Sequence, residues 1–353
     1  MKKILLFIFS FFVLLNVVNA GGYIVYDMDS GSIIKASNEN EKHLIASTSK
    51  IMTAIIAIEE NNLEEIITVD KNILSAVGSS IYLEIGEKIS LKDLIYGMML
   101  RSGNDAATMI AINNSGSMEN FARKMNDYAV RIGMKNTSFI NAHGLEDKEG
   151  NGNISTSFDM ALLTSYAMKN ETFKSIFKTK NYSCKSDKKS YVWSNKNKLL
   201  KYDYVTGGKT GYTKKAKRTL VTTGLVNGTN IVVVTLNDPN DWQTHLSSYD
   251  YVKKIYINVS VLDKDKFKIN INNIFIEDKL LIKNNYNRLV RNSEIKYFKI
   301  KYLLSSKDNY KNNDIVGQAN IYFKDDLVHT ENIYIQKNKK KTRKNFFKRL
   351  FKL

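Results

Sequence analysis

The chain has 353 residues, a formal net charge of +18 and one cysteine, Cys184. A single cysteine excludes an internal disulfide, and four histidines without a neighbouring cluster of His, Cys, Asp or Glu predict no metal site. Half of the net charge lies at the end of the chain, because residues 337–353 contain nine Lys or Arg residues and no acid. The charge therefore says little about an active site, while the length is sufficient for two hydrophobic cores.

The first twenty residues have the composition of a secretory signal peptide. Lys2 and Lys3 give a positive start, residues 4–18 are almost entirely apolar, and Ala20 is a small residue at the expected cleavage position. The apolar stretch is shorter than the roughly 20 residues that a membrane-spanning helix needs. We therefore predict a signal peptide over residues 1–20 and export of the remaining chain, with an uncleaved N-terminal anchor as the alternative.

The next segment, residues 21–260, begins and ends with sequences typical of β-strands. A hairpin is predicted over 23–34, where two extended runs flank the polar turn Asp29-Ser30-Gly31. A second is predicted over 219–236, where Asn227-Gly228 joins two β-rich runs, since this dipeptide favours a tight hairpin turn.

The centre of the same segment has apolar residues at helical spacing. Helices are predicted over 47–60, 91–100, 104–113, 119–132 and 158–168, and a last one over about 242–256. Thr156 and Asp159 form a capping pair at the start of the fifth helix. Strands at both ends with helices between them predict an antiparallel sheet with helices packed on it, an α+β architecture.

Residues 261–336 alternate apolar and polar side chains with a period of two. The clearest runs are 267–271, 319–323 and 333–335, with turn residues between them. This pattern predicts a small all-β domain that follows the α+β domain.

Ser47-Thr48-Ser49-Lys50 stands at the start of the first predicted helix. On a helix, positions i and i+3 share one face with Cβ atoms about 5–6 Å apart, so the Lys50 amine can reach the Ser47 hydroxyl. A serine needs a base to become a nucleophile, and burial and nearby positive charge would keep that lysine neutral. The alternative makes Ser47 a helix cap and Lys50 a surface charge.

Ser102-Gly103-Asn104 lies between two predicted helices, where a loop can direct side chains into a cleft. Taken alone, it is equally explained as a glycine turn with Asn104 capping the next helix.

Lys209-Thr210-Gly211 precedes the second hairpin in a glycine-rich stretch that lets a peptide approach the backbone closely. The charge of Lys209 and the hydroxyl of Thr210 are suited to binding the terminal carboxylate of a peptide. The stretch lacks the spacing of a Walker phosphate loop.

In order, spacing and surroundings, these three motifs resemble those of the serine penicillin-recognising enzymes. The chain is most similar to the D-alanyl-D-alanine carboxypeptidases among the low-molecular-mass penicillin-binding proteins. The resemblance implies the β-lactamase/transpeptidase-like fold for residues 21–260. It also implies these roles: Ser47 as nucleophile, Lys50 as general base, Ser102 as proton relay, Asn104 holding the substrate amide, Lys209, Thr210 and Gly211 binding substrate, and the Tyr212 main-chain N–H as an oxyanion donor.

The same resemblance implies substrates, inhibitors and location. The substrates would be peptidoglycan stem peptides ending in D-Ala-D-Ala, β-lactams would inhibit covalently, and no cofactor or metal would be required. The protein would act at the outer face of the cytoplasmic membrane or in the cell wall. Two rival functions remain: a β-lactamase, although no E-x-x-L-N-like segment is found, and a non-catalytic cell-wall protein that keeps the fold. His143, in a family-like Asn-x-His-Gly-Leu segment, is interpreted as structural.

The basic tail, residues 337–353, has Phe and Leu at helical spacing from Phe346 to Leu353, with Lys and Arg on the other face. This pattern predicts an amphipathic helix that lies on an anionic membrane surface, and too few apolar residues are present to span the bilayer. A disordered, solvated tail is the alternative, and no nucleic-acid partner is predicted for an exported chain.

Overall fold

The computed structural model describes residues 21–269, 278–306 and 309–337. The predicted signal peptide lies outside these residues, as does the predicted tail helix beyond Lys337. Among the helices in the described ranges, none combines the length and the apolar character needed to cross a bilayer.

Seven α-helices are formed by the described residues. They are Lys50–Glu60 (α1), Leu91–Arg101 (α2), Asn104–Ser115 (α3), Met118–Ile132 (α4), Ser157–Ala167 (α5), Glu171–Lys178 (α6) and Asp241–Ile255 (α7). Short 3₁₀ helices occupy Ala46–Ser49, Lys71–Ser75, Lys198–Lys201 and Asn292–Tyr297.

The same residues form seventeen β-strands. They are Gly22–Asp27 (β1), Ser32–Ser37 (β2), His43–Leu44 (β3), Ile66–Thr68 (β4), Lys88–Ser90 (β5), Ile154–Ser155 (β6), Asn181–Lys185 (β7), Ser190–Ser194 (β8), Val205–Thr213 (β9), Lys217–Val226 (β10), Thr229–Leu236 (β11), Tyr256–Leu262 (β12), Lys279–Leu281 (β13), Tyr286–Arg291 (β14), Phe298–Leu304 (β15), Ile315–Phe323 (β16) and Asp326–Gln336 (β17).

A five-stranded sheet in the order β2-β1-β11-β10-β9 combines strands from both ends of the first predicted domain. Both predicted hairpins are confirmed as neighbouring strands of this sheet. The turn residues Asn227 and Gly228 have φ of 50° and 75°, the positive values that a tight hairpin turn requires. Strand β9 pairs with β10 antiparallel and forms one edge of the sheet.

Helix α1 is the centre of the helical part of the fold. Its residues Lys50–Ala57 are buried, and it packs against α2, α3, α4, α5 and α6. The predicted helix beginning at Ser47 is corrected here, because Ala46–Ser49 forms a 3₁₀ turn and the α-helix begins at Lys50. Residues i and i+3 eclipse in such a turn, so the change brings Ser47 and Lys50 to the same side. The other predicted helices are confirmed within a few residues.

Several elements of this part were not predicted from the sequence, among them α6, the β7–β8 hairpin and β9. Helix α6 and the β7–β8 hairpin are short, and β9 contains three glycines, which are rare in strands. The Lys209-Thr210-Gly211 motif therefore lies on a strand, whereas the sequence placed it before the strands.

The chain divides into two compact units, the larger built mainly from Lys35–Gly224 and Val232–Ser248, and the smaller mainly from Tyr249 onward. In the smaller unit, β13-β17-β16-β15 form a sheet and β12 pairs with β14. Its core includes Val316, Ile321 and Ile333.

The predicted strands of this region are confirmed at 319–323 and 333–335, which lie in β16 and β17. The prediction for 267–271 is wrong at 267–269, which form no strand, and 270–271 lie outside the described residues. The predicted boundary between residues 260 and 261 falls inside β12, and that division of the chain stays a prediction.

Candidate active site

Ser47 and Lys50 meet at the start of α1. The Lys50 Nζ atom lies 3.1 Å from Ser47 Oγ, and the Lys50 side chain is fully buried. Ser47 itself stays partly exposed. The pair therefore matches the arrangement predicted from the S-x-x-K spacing, and the alternative of a surface lysine is wrong. The helix cap position of α1 belongs to Ser49, so Ser47 is not its cap.

Two further acceptors fix the Lys50 amine. Its Nζ donates to Asn104 Oδ1 at 2.7 Å and to the His143 main-chain oxygen at 2.5 Å. A neutral amine has two N–H groups and one lone pair. When both N–H groups are held by Asn104 and His143, the lone pair faces the Ser47 hydroxyl, which is the orientation that a general base requires.

The environment of Lys50 lowers the pKa of its amine well below the usual 10.5. Burial is the largest cause, because the low-dielectric interior disfavours the charged form. The positive charges of Lys209 and Lys196 lower the pKa further, and Asp105 opposes them. The structure thus provides the two conditions, burial and nearby positive charge, under which a lysine acts as a base at neutral pH.

Asn104 is held by the loop that precedes α2. Its Nδ2 donates to the Val77 main-chain oxygen at 2.6 Å, and its main-chain N–H donates to the Ser79 main-chain oxygen at 2.7 Å. The residue opens α3, whose cap position is Gly103, so its side chain is directed to Lys50 and does not cap the helix. The alternative that Asn104 caps α3 is therefore wrong, and its role toward the substrate stays a prediction.

Asp105 is a buried carboxylate whose function in the site was not recognised from the sequence. It accepts hydrogen bonds from Ser80 Oγ at 2.5 Å and from the main-chain N–H groups of Ile81 and Leu83 at 3.1 Å. These bonds tie residues 80–83 to the start of α3. Because the same loop carries the oxygens that hold Asn104, Asp105 supports the position of the Asn104 side chain.

Ser102 and Lys209 form a second buried pair. Lys209 Nζ donates to Ser102 Oγ at 2.9 Å and to the Thr210 main-chain oxygen at 2.7 Å. Ser102 has φ of 67°, a left-handed conformation between α2 and α3. Burial, and secondarily the charge of Lys196, lower the pKa of Lys209 to about 7. Lys209 is therefore only partly protonated at neutral pH.

The remaining predicted residues lie in order along β9. Thr210 is partly exposed, Gly211 is buried, and Tyr212 is exposed. A Cβ added to Gly211 would lie 2.3 Å from Thr219 Oγ1 and 3.0 Å from the Ser47 main-chain nitrogen. Glycine is thus required here, because only a bare backbone can pass so close to the Ser47 turn.

His143 contacts the site through its backbone. Its carbonyl accepts from Lys50, while its ring Nδ1 accepts from the Leu145 N–H at 3.1 Å. Burial, with the nearby charge of Lys50, lowers the pKa of the ring to about 3, so the imidazole is neutral. Gly144 follows with φ of 88°, and a Cβ there would clash with the Ala46 main-chain oxygen.

The described residues contain no group of three or more His, Cys, Asp or Glu side chains that could hold a metal ion.

Comparison with known proteins identifies relatives for most of this chain. A family model described as D-alanyl-D-alanine carboxypeptidase, Peptidase_S11, matches residues 13–240. The D-alanyl-D-alanine carboxypeptidase DacF of Bacillus subtilis is 36% identical over 201 residues, which are 55% of this chain and 51% of the relative. The chain thus aligns with about half the length of that relative. For DacD of Escherichia coli, the identity is 27% over 339 residues, with 88% of this chain and 84% of the relative covered.

Solved structures share the fold. Penicillin binding protein 5 from Haemophilus influenzae superposes with a TM-score of 0.74 at 23% identity, covering 91% of this chain and 98% of that one. A D-alanyl-D-alanine carboxypeptidase from Mycobacterium tuberculosis superposes with a TM-score of 0.62 at 29% identity, covering 66% of this chain and 90% of that one. The first of these extends over both units, and the fold class predicted from the sequence is confirmed.

Proposed function

The chain belongs to the D-alanyl-D-alanine carboxypeptidase family, and from that premise we propose that it removes the terminal D-alanine from peptidoglycan stem peptides as a serine-type carboxypeptidase. The contact between Ser47 Oγ and the buried Lys50 Nζ carries this proposal. It pairs a nucleophile with a base whose pKa is lowered, which acyl transfer through a serine requires.

Acylation begins when Ser47 Oγ attacks the carbonyl carbon of the penultimate D-alanine and Lys50 accepts the hydroxyl proton. The main-chain N–H groups of Ser47 and Tyr212 then stabilise the oxyanion of the tetrahedral intermediate. The passage of β9 beside the Ser47 turn, enforced by Gly211, supports this assignment.

The leaving amine must gain a proton as the peptide C–N bond breaks. Ser102 relays it from Lys50, and its hydrogen bond to Lys209 holds the hydroxyl in place. Lys209 and Thr210 bind the carboxylate of the departing D-alanine by charge and hydroxyl. As an edge strand, β9 has main-chain groups available to a peptide in extended conformation.

Deacylation repeats the chemistry with water as the nucleophile. Lys50 accepts a proton from water, the ester bond to Ser47 breaks, and the Ser47 oxygen regains a proton. When Ser47 opens a β-lactam ring, the leaving group is the lactam nitrogen, and it stays covalently attached to the acyl group. It therefore obstructs the approach of water, which explains covalent inhibition.

A gel with fluorescent penicillin, together with an assay of D-alanine release, tests the proposed function. We expect a stable adduct and release of one D-alanine from a peptide that ends in D-Ala-D-Ala. Rapid turnover of the penicillin without peptide hydrolysis would favour a β-lactamase. Failure to form an adduct would favour a non-catalytic protein with this fold.

The activity should decline on the alkaline side because of Lys209. With a pKa of about 7, its amine loses the charge that binds the substrate carboxylate as the pH rises. We expect kcat/KM for a D-Ala-D-Ala peptide to fall above about pH 7, since this parameter reports the free enzyme. In Lys209→Arg the guanidinium stays charged, so the alkaline limb should move to higher pH. An identical alkaline limb in both proteins would contradict this role.

We also propose that the protein is exported and rests on the outer face of the cytoplasmic membrane through residues 337–353. The apolar aromatic stripe and the nine basic residues of that tail support this. Attraction of roughly 1 kcal/mol per basic residue near an anionic surface would add to burial of the stripe.

Truncation after Gln336 should separate membrane binding from activity. In sedimentation with anionic liposomes, we expect the mature protein to bind and the truncated protein to remain soluble, with equal hydrolysis of a short soluble peptide. Salt should release the intact protein only partly, because it does not screen apolar contacts. Equal binding by both proteins, or complete release by salt, would reject the anchor.

A further inference from the structure

A cleft of about 740 Å³ lies beside the catalytic residues, between Gly78–Tyr82 and the β8 strand. Its charge is entirely positive: Arg101, Lys189 and Lys196 line it, and none of its described lining residues is Asp or Glu. A cleft lined by one sign of charge concentrates ligands of the opposite sign.

Two of the three cations are available to a ligand. Lys189 is paired with Glu84 at 2.8 Å. Among the described residues, neither Arg101 nor Lys196 forms an ion pair: Arg101 donates to the Ser194 main-chain oxygen at 3.1 Å, and Lys196 to Ser79 Oγ at 3.0 Å. Partial burial, and secondarily the charge of Arg101, lower the pKa of Lys196.

The rim of the cleft has large apolar side chains that face solvent. Tyr82 is 79% exposed and Val192 is 77% exposed, one on each wall. Exposed apolar groups around a polar centre are typical of binding sites. An occupant with an anionic group on an apolar or peptide body would match both properties.

Ser79 connects this cleft to the catalytic centre. Its hydroxyl accepts from Lys196 inside the cleft, while its main-chain oxygen accepts from the Asn104 N–H in the site. Arg101 directly precedes Ser102 at the end of α2. The cleft and the catalytic centre are thus connected through Ser79 and through the junction between Arg101 and Ser102.

We propose that this cleft binds a second carboxylate of the peptide substrate, carried by a residue outside the terminal D-alanine pair. The proposal rests on the proposed function, in which Lys209 and Thr210 bind the terminal carboxylate. Arg101 and Lys196 remain for another acidic group, and a guanidinium suits a carboxylate through two parallel hydrogen bonds. The cleft would thereby select stem peptides with a free acid at an internal position.

Two soluble peptides that end in D-Ala-D-Ala and differ only in an internal free carboxylate or its primary amide provide the test. We expect the intact enzyme to prefer the free acid by about tenfold in kcat/KM, the value of one charge-assisted hydrogen bond. Arg101→Gln should remove this preference and leave hydrolysis of the amide peptide unchanged. Arg123→Gln, which removes the same group from an exposed position on α4, should keep the preference.

Equal turnover of both peptides by the intact enzyme would overturn the proposal. So would an equal loss for both peptides in Arg101→Gln, because that result indicates a general effect on the site. Penicillin and the amide peptide both lack the second carboxylate, so penicillin labelling and hydrolysis of the amide peptide test only the chemistry of Ser47 and Lys50. If both persist while the preference for the free acid is absent, the proposed cleft fails and the carboxypeptidase function stands. If both are absent, the carboxypeptidase function itself fails.

Discussion

Replacement of Ser47 by Ala is expected to abolish both penicillin labelling and D-alanine release. The Ser47 hydroxyl contacts Lys50 Nζ at 3.1 Å and is the proposed nucleophile, so no acyl-enzyme is expected to form without it. Loss of the nucleophile in a serine hydrolase costs on the order of 10⁶ in kcat. The measurements are fluorescent penicillin labelling and D-alanine release, with thermal unfolding to verify the fold.

Ser49→Ala is the matched control for this variant. Ser49 lies in the same turn, and its buried hydroxyl donates to the Ala46 main-chain oxygen at 2.7 Å. Removing it should cost about 1 kcal/mol of stability, the value of a typical hydrogen bond, while labelling persists. Full labelling of the Ser47→Ala protein would show that another residue is acylated.

Replacement of Lys50 by Arg should slow acylation by about 10²–10⁴, the usual contribution of a general base. Guanidinium does not deprotonate in proteins, so it keeps the positive charge but cannot accept the Ser47 proton. The measured quantity is the second-order rate of penicillin acylation at neutral pH. A near-normal rate in the Arg variant would mean that a different base is used.

Lys50→Met provides a second variant in case the buried guanidinium prevents folding. Methionine fills a similar volume without burying a charge in a helix that is enclosed by five others. It should fold and should also lose acylation.

In the native enzyme, the rate of acylation should fall at acid pH as Lys50 gains a proton. Because the pKa of Lys50 is lowered, this fall should occur at a pH well below the usual pKa of lysine.

Local patterns in the sequence were sufficient to predict the Ser47–Lys50 pair, six of the seven α-helices of the described residues and both hairpins of the five-stranded sheet. The i, i+3 spacing of Ser47 and Lys50, the apolar periodicity of α1 to α5 and the Asn227-Gly228 turn each act over a few residues. Such features can be read without a fold, because their geometry depends on neighbours in the chain. The motifs also carried the resemblance to the family.

The assembly of those residues into one site depends on contacts between segments that are distant in the sequence. Lys50 meets Asn104 and His143 across sequence separations of 54 and 93 residues, and Lys209 meets Ser102 across 107. The pKa of Lys50 depends on burial and on charges brought by distant segments, which no local pattern specifies. The bonds of Asp105 to residues 80–83 and the cationic cleft arise in the same way, because packing alone sets which loops adjoin α3 and β8.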